Sequence, residues 1–432
     1  MKIFTPKIIS SFKGYNSQKL ISDVVAGIIV AIIALPLSIA LAIASGASPA
    51  QGLYTAIVAG FTIALLGGSR VNISGPTAAF ATIVAGVIAT NGFDGLIIAT
   101  IMAGLILILL GLCRAGSLIK FMPVTITIGF TSGVAVTILI GQIKDFLGLD
   151  FGGESPVEAG EKLVAVIKNI GSIDLSAFVI GAIGLAILIC WNVLANKLNS
   201  KAGIIFKKIP SSIVAVIIGI LVVSFTPLKS ATIGSLYPDL SATLPKLSLP
   251  TFNIDTVIAV IPDAITIALL AAIESLLSCV VSDNMINDKH NSNTELIAQG
   301  VGNVCSGLFG GIPATGAIAR TAANVKNGGR TPLAGMIHAL VLLLFLAVLM
   351  PVAKLIPMPI IAAILFIVAY NMSEWRSVVK ICKTKKCTDI IVLFSTFILT
   401  IAINLVVAIV AGIVLTVIFK LSKRIKEKRN NK

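Results

Sequence analysis

The stretch Val71–Phe80, which reads VNISGPTAAF, constrains the fold most because it lies between two long apolar segments yet is not a good helix. Its first four residues favour extended backbone, and Gly75-Pro76 then ends the extension. Proline suits the first turn of a helix, where its missing N–H is no loss. The sequence therefore predicts a short extended piece followed by a helix whose N-terminus points into the protein.

A second stretch of the same kind, Gly310–Arg320, reads GGIPATGAIAR. Two helix N-termini that face each other inside a membrane make a positive electrostatic site, which predicts a bound anion. The breaks are paired, since Thr315 follows Pro76 by 239 residues and Glu274 follows Pro36 by 238. Corresponding breaks in two inverted halves point to the midplane site of a transporter. Ordinary Gly and Pro kinks of membrane helices are the alternative interpretation.

The composition indicates an integral membrane protein, since only 12% of the 432 residues are charged and 57% are hydrophobic, whereas soluble domains carry about 25% charged residues. The first apolar segment, Ile21–Ile43, is too long for a cleaved signal peptide. The net charge of +15 lies in the tails and short loops, which is typical of positive-inside topology and argues against nucleic-acid binding. The six cysteines form no C-x-x-C pair, so we expect free thiols.

The charge pattern predicts an all-α integral membrane protein with 14 transmembrane segments in two inverted 7-span repeats, with half-helices at spans 3 and 10. Basic residues place both termini and the 195–208 loop in the cytoplasm, and an acidic loop at 150–161 lies outside. The predicted parts are the cytoplasmic N-terminus 1–20, the first repeat 21–226, an extracytoplasmic linker 227–256, the second repeat 257–421 and a basic cytoplasmic tail 422–432. The predicted spans outside the breaks are Ile21–Ile43, Pro49–Leu66, Leu96–Leu112, Val124–Ile143, Leu175–Leu194, Ser211–Phe225, Val257–Val281, Thr294–Phe309, Pro332–Met350, Pro359–Tyr370 and a two-span hairpin over Asp389–Leu421.

Glu274 lies near the centre of the eighth predicted span, where an unpaired carboxylate costs on the order of a few kcal/mol. It is a candidate proton carrier, or a ligand for a coupling cation beside Ser278, one helical turn further on. A carboxyl group tied to the backbone or to Arg320 is the alternative. His338 is expected to be a packed core group, and the charged loop 283–290 is expected to be solvated.

Candidate anion ligands lie at or near the two helix starts, namely the hydroxyls of Thr77 and Thr315 and the N–H groups around Gly316. Ordinary N-capping describes the two threonines equally well. Arg320 suits an oxyanion because it carries a fork of donors. The alternative for Arg320 is a charge at the helix end that snorkels to water. The sequence contains no nucleotide-binding loop, catalytic triad or metal-ligand cluster, so we expect neither an enzyme nor a cofactor.

Several motifs occur in order from Asp23 to about Lys420: DVVAGIIVAIIALPLSIALAIASGASPAQGLYTAIVAG, GGSRVNISGPTAAF, GFTSGVAVTI, AAIESLLS, GGIPATGAIARTAANV and NMSE. Together they resemble the SulP family of anion permeases. The resemblance implies seven plus seven inverted spans, with a core domain (spans 1–4 and 8–11) that moves against a gate domain (spans 5–7 and 12–14). It also implies an anion site between the third and tenth half-helices, and a homodimer.

The resemblance also carries over residue by residue. Glu274 matches the acidic residue of the eighth span, which resembles the position that couples transport to a cation or a proton, and Ser278 matches its hydroxyl neighbour. Together with the candidates above, the implied substrate-binding set is Pro76, Thr77, Thr315, Gly316, Ala317, Ile318 and Arg320.

Two departures from the family pattern bear on the function. Many members have Pro-Gln in the first span, whereas this chain has Pro36-Leu37, which removes one polar ligand. Typical members continue into a cytoplasmic STAS domain, whereas this chain stops at Lys432, so we expect that domain to be either naturally absent or cut off.

We expect a transporter that carries a small anion across the inner (cytoplasmic) membrane of a bacterial-type cell and couples it to H+ or Na+ through Glu274. Sulfate is the first expected substrate, and a C4-dicarboxylate or bicarbonate is the alternative. An uncoupled anion channel could share the fold. A nucleobase permease would need an acidic residue at the tenth-span site, where this chain has Arg320. A membrane scaffold without transport would have no use for the paired breaks.

Overall fold

The computed structural model describes residues 4–12, 15–117, 123–153, 156, 158–197, 209–238, 243–247, 249–384, 386–403 and 405–430. These residues are mainly helical. The helices are α1 (Lys7–Ser11), α2 (Ser17–Ala44), α3 (Pro49–Leu66), α4 (Ala81–Leu112), α5 (Val124–Leu147), α6 (Ala159–Lys168), α7 (Leu175–Lys197), α8 (Ser211–Phe225), α9 (Ile233–Leu236), α10 (Ile254–Ala259), α11 (Ile261–Ile286), α12 (Ser292–Leu308), α13 (Ile318–Lys326), α14 (Pro332–Ala353), α15 (Met358–Met372), α16 (Trp375–Lys383), α17 (Cys387–Ala402) and α18 (Leu405–Asn430).

Within the described residues, seven helical segments are long and apolar enough to cross a membrane. They are Ser17–Ala44, Pro49–Leu66, Ala78–Leu112, Val124–Leu147, Ile261–Ile286, Pro332–Ala353 and Met358–Lys383. Shorter apolar helices cover Leu175–Trp191, Ser211–Phe225, Cys387–Ala402 and Val407–Ser422. These segments confirm the prediction of a helical, multi-pass membrane protein.

Some predicted bounds differ from the observed ones. Val260 separates α10 from α11, so the eighth predicted span begins at Ile261 rather than at Val257. The reason is Pro262, which lies in the first turn of α11, where a residue without an N–H favours a new helix start. The predicted inside-loop residues 198–208 and the last two residues of the predicted tail, 431–432, lie outside the described residues.

The first predicted break is an extended segment followed by a helix. Strand β1 (Ser74–Gly75) leads through Thr77, with φ −128° and ψ 156°, into a 3-10 turn at Ala78–Phe80 and then into α4. The helix therefore starts after Thr77 and not at Pro76 as the sequence suggested. Gly92, with φ 67° and ψ −174°, divides α4 into a half-helix and a following span.

The second break repeats this arrangement, with strand β2 (Thr315–Gly316) leading into α13. The two strands pair antiparallel, with Ser74 opposite Gly316 and Gly75 opposite Thr315. The N–H of Ala317 adds a bond to the carbonyl of Ile73 at 2.8 Å. This pairing explains the late start of the first half-helix, since β1 is held extended by a partner more than 200 residues away in sequence.

Glycines allow α4 and α12 to pack backbone against backbone. A Cβ on Gly104 would lie 2.6 Å from the carbonyl oxygen of Gly300, and a Cβ on Gly300 would lie 2.5 Å from that of Gly104. Small residues at such contacts are the usual device for close helix packing in membranes. This contact holds the helix that follows the first break against the helix that precedes the second.

The charged loop 283–290 is paired rather than solvated. Asp288 accepts from Nζ of Lys7 at 3.2 Å and contacts Nε of Arg70 at 3.1 Å. The Nδ1 of His290 lies 2.7 Å from a carboxylate oxygen of Asp283. The N-terminal helix α1 is therefore tied to the rest of the protein. The six cysteines are free, as expected.

The predicted linker is attached to both neighbouring parts of the chain. The N–H of Ile233 donates to the carbonyl of Ile356 at 2.9 Å, and the N–H of Met358 donates to the carbonyl of Ala231 at 2.9 Å. The hydroxyl of Tyr54 on α3 donates to the carbonyl of Thr243 at 2.8 Å. The linker thus contacts α3 as well as the junction between α14 and α15.

Candidate functional site

Side chains from α3 and α12 fix the extended segment before α13. The side-chain amide of Asn303 makes two hydrogen bonds with the backbone of Ala314. Its Nδ2 donates to the carbonyl at 2.9 Å, and its Oδ1 accepts from the N–H at 2.8 Å. The hydroxyl of Thr55 accepts from the N–H of Ile312 at 2.7 Å. These bonds replace the helical partners that an extended segment lacks, as buried backbone groups require.

A buried carboxylate, Glu295 on α12, holds the segment before β1. One oxygen accepts from the N–H groups of Gly68 at 2.8 Å and Ser69 at 3.2 Å. The other accepts from the side-chain amides of Asn72 at 2.7 Å and Gln299 at 3.0 Å. Glu295 is completely buried, and these four donors compensate for its desolvation.

The sequence analysis did not single out this polar scaffold, although the sequence carried a signal for it. Glu295, Gln299, Asn303 and Ser306 recur three or four residues apart and so share one face of α12. An amphipathic stripe inside an apparently apolar span marks a face that packs against polar groups. All four side chains are fully buried in the structure.

Ser278 belongs to the same scaffold. Its hydroxyl donates to Oδ1 of Asn72 at 2.7 Å and lies 3.1 Å from the hydroxyl of Thr321 on α13. Thr321 also bonds Oδ1 of Asn72, at 3.0 Å. The structure therefore engages the Ser278 hydroxyl with the two breaks rather than with the carboxylate of Glu274, although both residues lie on α11.

Thr315 and Gly316 are held by a second residue of α11, Ser275. The hydroxyls of Ser275 and Thr315 lie 2.8 Å apart, and the N–H of Gly316 donates to the Ser275 hydroxyl at 3.0 Å. The Thr315 hydroxyl also donates to the carbonyl of Ala271 at 3.1 Å. The polar groups of both residues are thus engaged within the protein, and they position β2.

Thr77 and Glu274 are brought together across the site. The Thr77 hydroxyl donates to Oε2 of Glu274 at 2.9 Å, and both residues are half-buried. Neither predicted threonine caps a helix, because Thr77 makes no side-chain cap bond and the N-cap of α13 is Ala317. The N-capping alternative is therefore wrong for both threonines.

The guanidinium of Arg320 lies directly beneath the β1 turn. Its exposed fraction is 2%, so the snorkelling alternative is wrong. Nη2 donates to the carbonyl of Pro76, while Nε and Nη1 have no hydrogen-bond partner among the described residues. A Cβ on Gly75 would lie 2.6 Å from Nη1, so any larger residue at this position would displace the guanidinium. Two charged donors are therefore buried beside the half-helix start without a protein acceptor.

The start of α13 adds further donors on the same side. The first N–H groups of a helix have no partner within the helix, and here they belong to Ile318 and the residues after it. Ile318 is 43% exposed and Ala317 is half-buried. The positive end of the helix dipole is thus directed toward a solvent-accessible surface next to Arg320. Elsewhere on α14, His338 is completely buried, as expected for a core group.

A cavity of about 540 Å³ approaches this site. It lies between the half-helix that begins α4 and the helix α5, and α6 covers it. Its wall includes Ala81 and Thr82, about one helical turn beyond Thr77. The cavity therefore extends from Phe151 and Lys162 to Ala81, four residues after Thr77 in sequence.

Residues 20–396 match the sequence profile described as the sulfate permease family. The chain belongs to the sulfate permease family. It is 42% identical over 409 residues to YvdB of Bacillus subtilis (strain 168), provisionally named a sulfate transporter, covering 94% of this chain and 75% of that protein. It is also 32% identical over 401 residues to the bicarbonate transporter BicA of Picosynechococcus sp. (strain ATCC 27264 / PCC 7002 / PR-6), covering 90% of this chain and 68% of BicA.

Two solved structures share the fold of this family member. The transmembrane domain of a cyanobacterial BicA matches with a TM-score of 0.78 at 30% identity, over 91% of this chain and 98% of that one. SLC26A9 matches with a TM-score of 0.86 over 96% of this chain and 68% of that one, at 18% identity, which shows the fold alone. The protein is therefore a helical membrane anion transporter of the sulfate permease family and not an enzyme.

Proposed function

We propose that the protein is a secondary active transporter that carries sulfate by alternating access and couples it to H+ or Na+ through Glu274. The observation that carries the proposal is Arg320, whose Nε and Nη1 are buried beside the start of α13 without an acceptor in the part of the chain that the structure describes. A buried cation with free donors is costly unless a ligand supplies the acceptors. A small oxyanion supplies them, because its oxygens match the guanidinium fork.

In this proposal the anion lies between the two half-helix starts. Thr77, Arg320 and the backbone of Ala317 and Ile318 contact it, and the carbonyl of Pro76 orients the guanidinium. Thr315 and Gly316 shape the site through their bonds to α11. Ser278 donates a hydrogen bond to Asn72, which precedes β1, and so helps to position the strand pair.

In this proposal, anion binding is coupled to ion binding because the Glu274 carboxylate and the anion repel each other. Glu274 lies one hydrogen bond from Thr77, so its carboxylate is next to the anion. Two charges about 4 Å apart at an effective dielectric constant near 20 interact by roughly 4 kcal/mol. Protonation of Glu274, or a bound cation beside it, removes that repulsion, so the anion and the coupling ion bind together.

The proposed topology has 14 spans in two inverted repeats. Spans 1–4 and 8–11 form a core domain that moves against a gate domain of spans 5–7 and 12–14. The antiparallel pairing of β1 with β2 supports the inversion, since the two breaks approach from opposite directions. We place the protein in the bacterial cytoplasmic membrane with both termini in the cytoplasm, as a homodimer.

Bicarbonate is the second candidate substrate, and the 32% identity to BicA favours it. A C4-dicarboxylate is the third. The Pro36-Leu37 departure bears on this choice, because leucine at that position removes one polar ligand from the first span.

The decisive experiment is uptake into liposomes that contain the purified protein. Labelled sulfate, bicarbonate and succinate are each supplied with an inward H+ or Na+ gradient, for the wild type and Glu274→Gln. We expect sulfate to accumulate above its external concentration in the wild type and only to equilibrate in the variant. Equal, non-concentrative uptake by both proteins would contradict coupling through Glu274 and favour an uncoupled channel or an exchanger.

A further inference from the structure

The cavity beside the half-helix is lined by charged and polar residues outside the site described above. Its wall on α5 includes Gln142, Lys144 and Asp145, and its wall on α6 includes Lys162. A second cavity of about 360 Å³ adjoins it and shares four lining residues with it, which are Thr82, Ala89, Thr137 and Lys162. Lys162 therefore lies where the two cavities meet.

The ammonium group of Lys162 is directed at the backbone of α5. Its Nζ would lie 3.8 Å from a Cβ built on Gly141, and the side chain is half-buried. None of the ion pairs within 4 Å among the described residues includes Lys162. Burial lowers the pKa of Lys162, and the charge of Asp145 partly offsets that effect. The group is thus a partly desolvated cation without a paired carboxylate.

Gln142 provides a second, independent sign of a ligand. Its exposed fraction is 5%, it lines the larger cavity, and its Oε1 has no hydrogen-bond partner among the described residues. Buried amide groups are normally satisfied by protein, water or ligand. The unpaired oxygen is an acceptor, so it offers a position for a donor group of whatever fills the cavity.

The other charged residues set the strength of such a site. The larger cavity is lined by two lysines, Lys144 and Lys162, and by one carboxylate, Asp145, which leaves one positive charge in excess there. Glu158 and Asp263 line the smaller cavity on the other side of Lys162 and compete for its ammonium group. A site on a transport route must bind strongly enough to admit an ion and weakly enough to release it, and this balance meets both needs.

We propose that Lys162 and Gln142 form an outer transit site for a small oxyanion, which the anion occupies on its way to Thr77 and Arg320. Lys162 supplies the charge that holds the anion. An oxyanion with an O–H, such as hydrogencarbonate, also satisfies Oε1 of Gln142, whereas sulfate does not. The direction of travel rests on the proposed transport function, but occupancy of the site does not.

The first test compares two lysines of the same helix. Lys162→Gln and Lys168→Gln remove the same charge from α6, but Lys168 is exposed and lies outside both cavities. We expect Lys162→Gln to raise the KM for sulfate or bicarbonate uptake at least about fivefold at low ionic strength with Vmax unchanged, and the difference to shrink at high salt. Lys162→Arg should retain the wild-type KM. Equal KM values for both glutamine variants would overturn the proposal.

The second test does not depend on transport. Reconstituted protein is acetylated with an uncharged amine reagent, with and without sulfate or hydrogencarbonate, and labelling is read at both lysines by mass spectrometry. Either anion should slow labelling of Lys162 at least about threefold relative to Lys168 through local shielding. Arg320→Gln, which disables the inner site, should keep this protection even though it loses uptake. Protection by neither anion, or its loss in Arg320→Gln, would overturn the outer site. Protection in a wild-type protein that transports neither anion would reject only the proposed function.

Discussion

Two buried charged side chains, Glu295 and Arg320, differ in how fully they are hydrogen-bonded. The Glu295 carboxylate accepts four hydrogen bonds. The Arg320 guanidinium donates one hydrogen bond, from Nη2 to the carbonyl of Pro76, and its Nε and Nη1 have no partner among the described residues. A fully bonded buried charge holds its neighbours in place, and an incompletely bonded one is ready for a ligand. Substitution of each should therefore change stability in opposite directions.

Glu295→Gln should destabilise the protein. The amide retains one acceptor oxygen and places an NH2 group against donors, so we expect a loss of about 1–3 kcal/mol in the free energy of unfolding. Thermal unfolding in detergent measures it. The exposed Glu161→Gln on α6 is the matched control and should melt as the wild type does. Equal melting temperatures for both variants would show that the network around Glu295 contributes little.

Arg320→Gln should abolish concentrative uptake and leave stability unchanged or increase it, by up to about 1–3 kcal/mol, because an incompletely paired buried charge is removed. Anion uptake and thermal unfolding are measured on the same preparation, with the exposed Arg376→Gln as the control. A large loss of stability in Arg320→Gln would instead identify Arg320 as a structural residue.

Local sequence identified Glu274, Thr77 and Arg320 because each is unusual at its position in an apolar segment. It did not identify the partners of these residues. Glu274 and Ser278 share a helix face by spacing, yet Glu274 bonds Thr77 and Ser278 bonds Asn72, because α11 packs against both breaks at once. Such assignments depend on helix packing and cannot be obtained from one helix alone.

At the scale of elements, the two-strand pair β1–β2 determines where both half-helices begin. The location of the breaks was predictable from Gly75-Pro76 and Gly310–Arg320, but the helix start at Pro76 was not confirmed. Propensity favours proline in a first turn, whereas the pairing with Thr315 and Gly316 holds the chain extended up to Gly75, and the first turn begins only at Ala78. Pairing between distant segments overrides a local preference here.

Gly75→Ala should displace the Arg320 guanidinium, because the new methyl group would lie 2.6 Å from Nη1. We expect at least a tenfold rise in the KM for uptake, which corresponds to about 1.4 kcal/mol of binding free energy. Gly86→Ala, on the half-helix that follows β1, is the matched control, since a Cβ there has no neighbour within 4 Å. If both variants transport alike, Arg320 does not contact the anion through the face next to Gly75.

At the scale of the whole molecule, apolar length and composition were sufficient to predict a helical, multi-pass membrane protein, since a membrane protein must satisfy its backbone within each span. They were insufficient for the charged connections, where the loop expected to be solvated is paired with α1. Burial alone would raise the pKa of Asp288, but bonds from the Lys289 backbone and Lys7, with the charges of Lys7 and Arg70, lower that pKa below its ordinary value.

A carboxylate with a lowered pKa in the folded state stabilises the protein above its unfolded pKa of about 4, and this contribution is lost as the pH falls through the folded pKa. Asp288→Asn should lower the free energy of unfolding at pH 7 by less than about 1 kcal/mol, because the pair is partly exposed. Thermal unfolding at pH 7 and pH 3 measures the difference, which should be smaller at the lower pH. The exposed Asp255→Asn should show no such pH-dependent difference.

The pairing of β1 with β2 has a consequence for how binding energy is used. Because the two halves of the proposed site are joined by backbone hydrogen bonds and buried side chains, they keep their spacing whether or not an anion is present. A preorganised receptor does not lose affinity to the entropy of assembling itself. In the proposed alternating-access cycle, the free energy of anion binding can therefore act on the equilibrium between the two access states, and we expect the half-sites to move together as one rigid body.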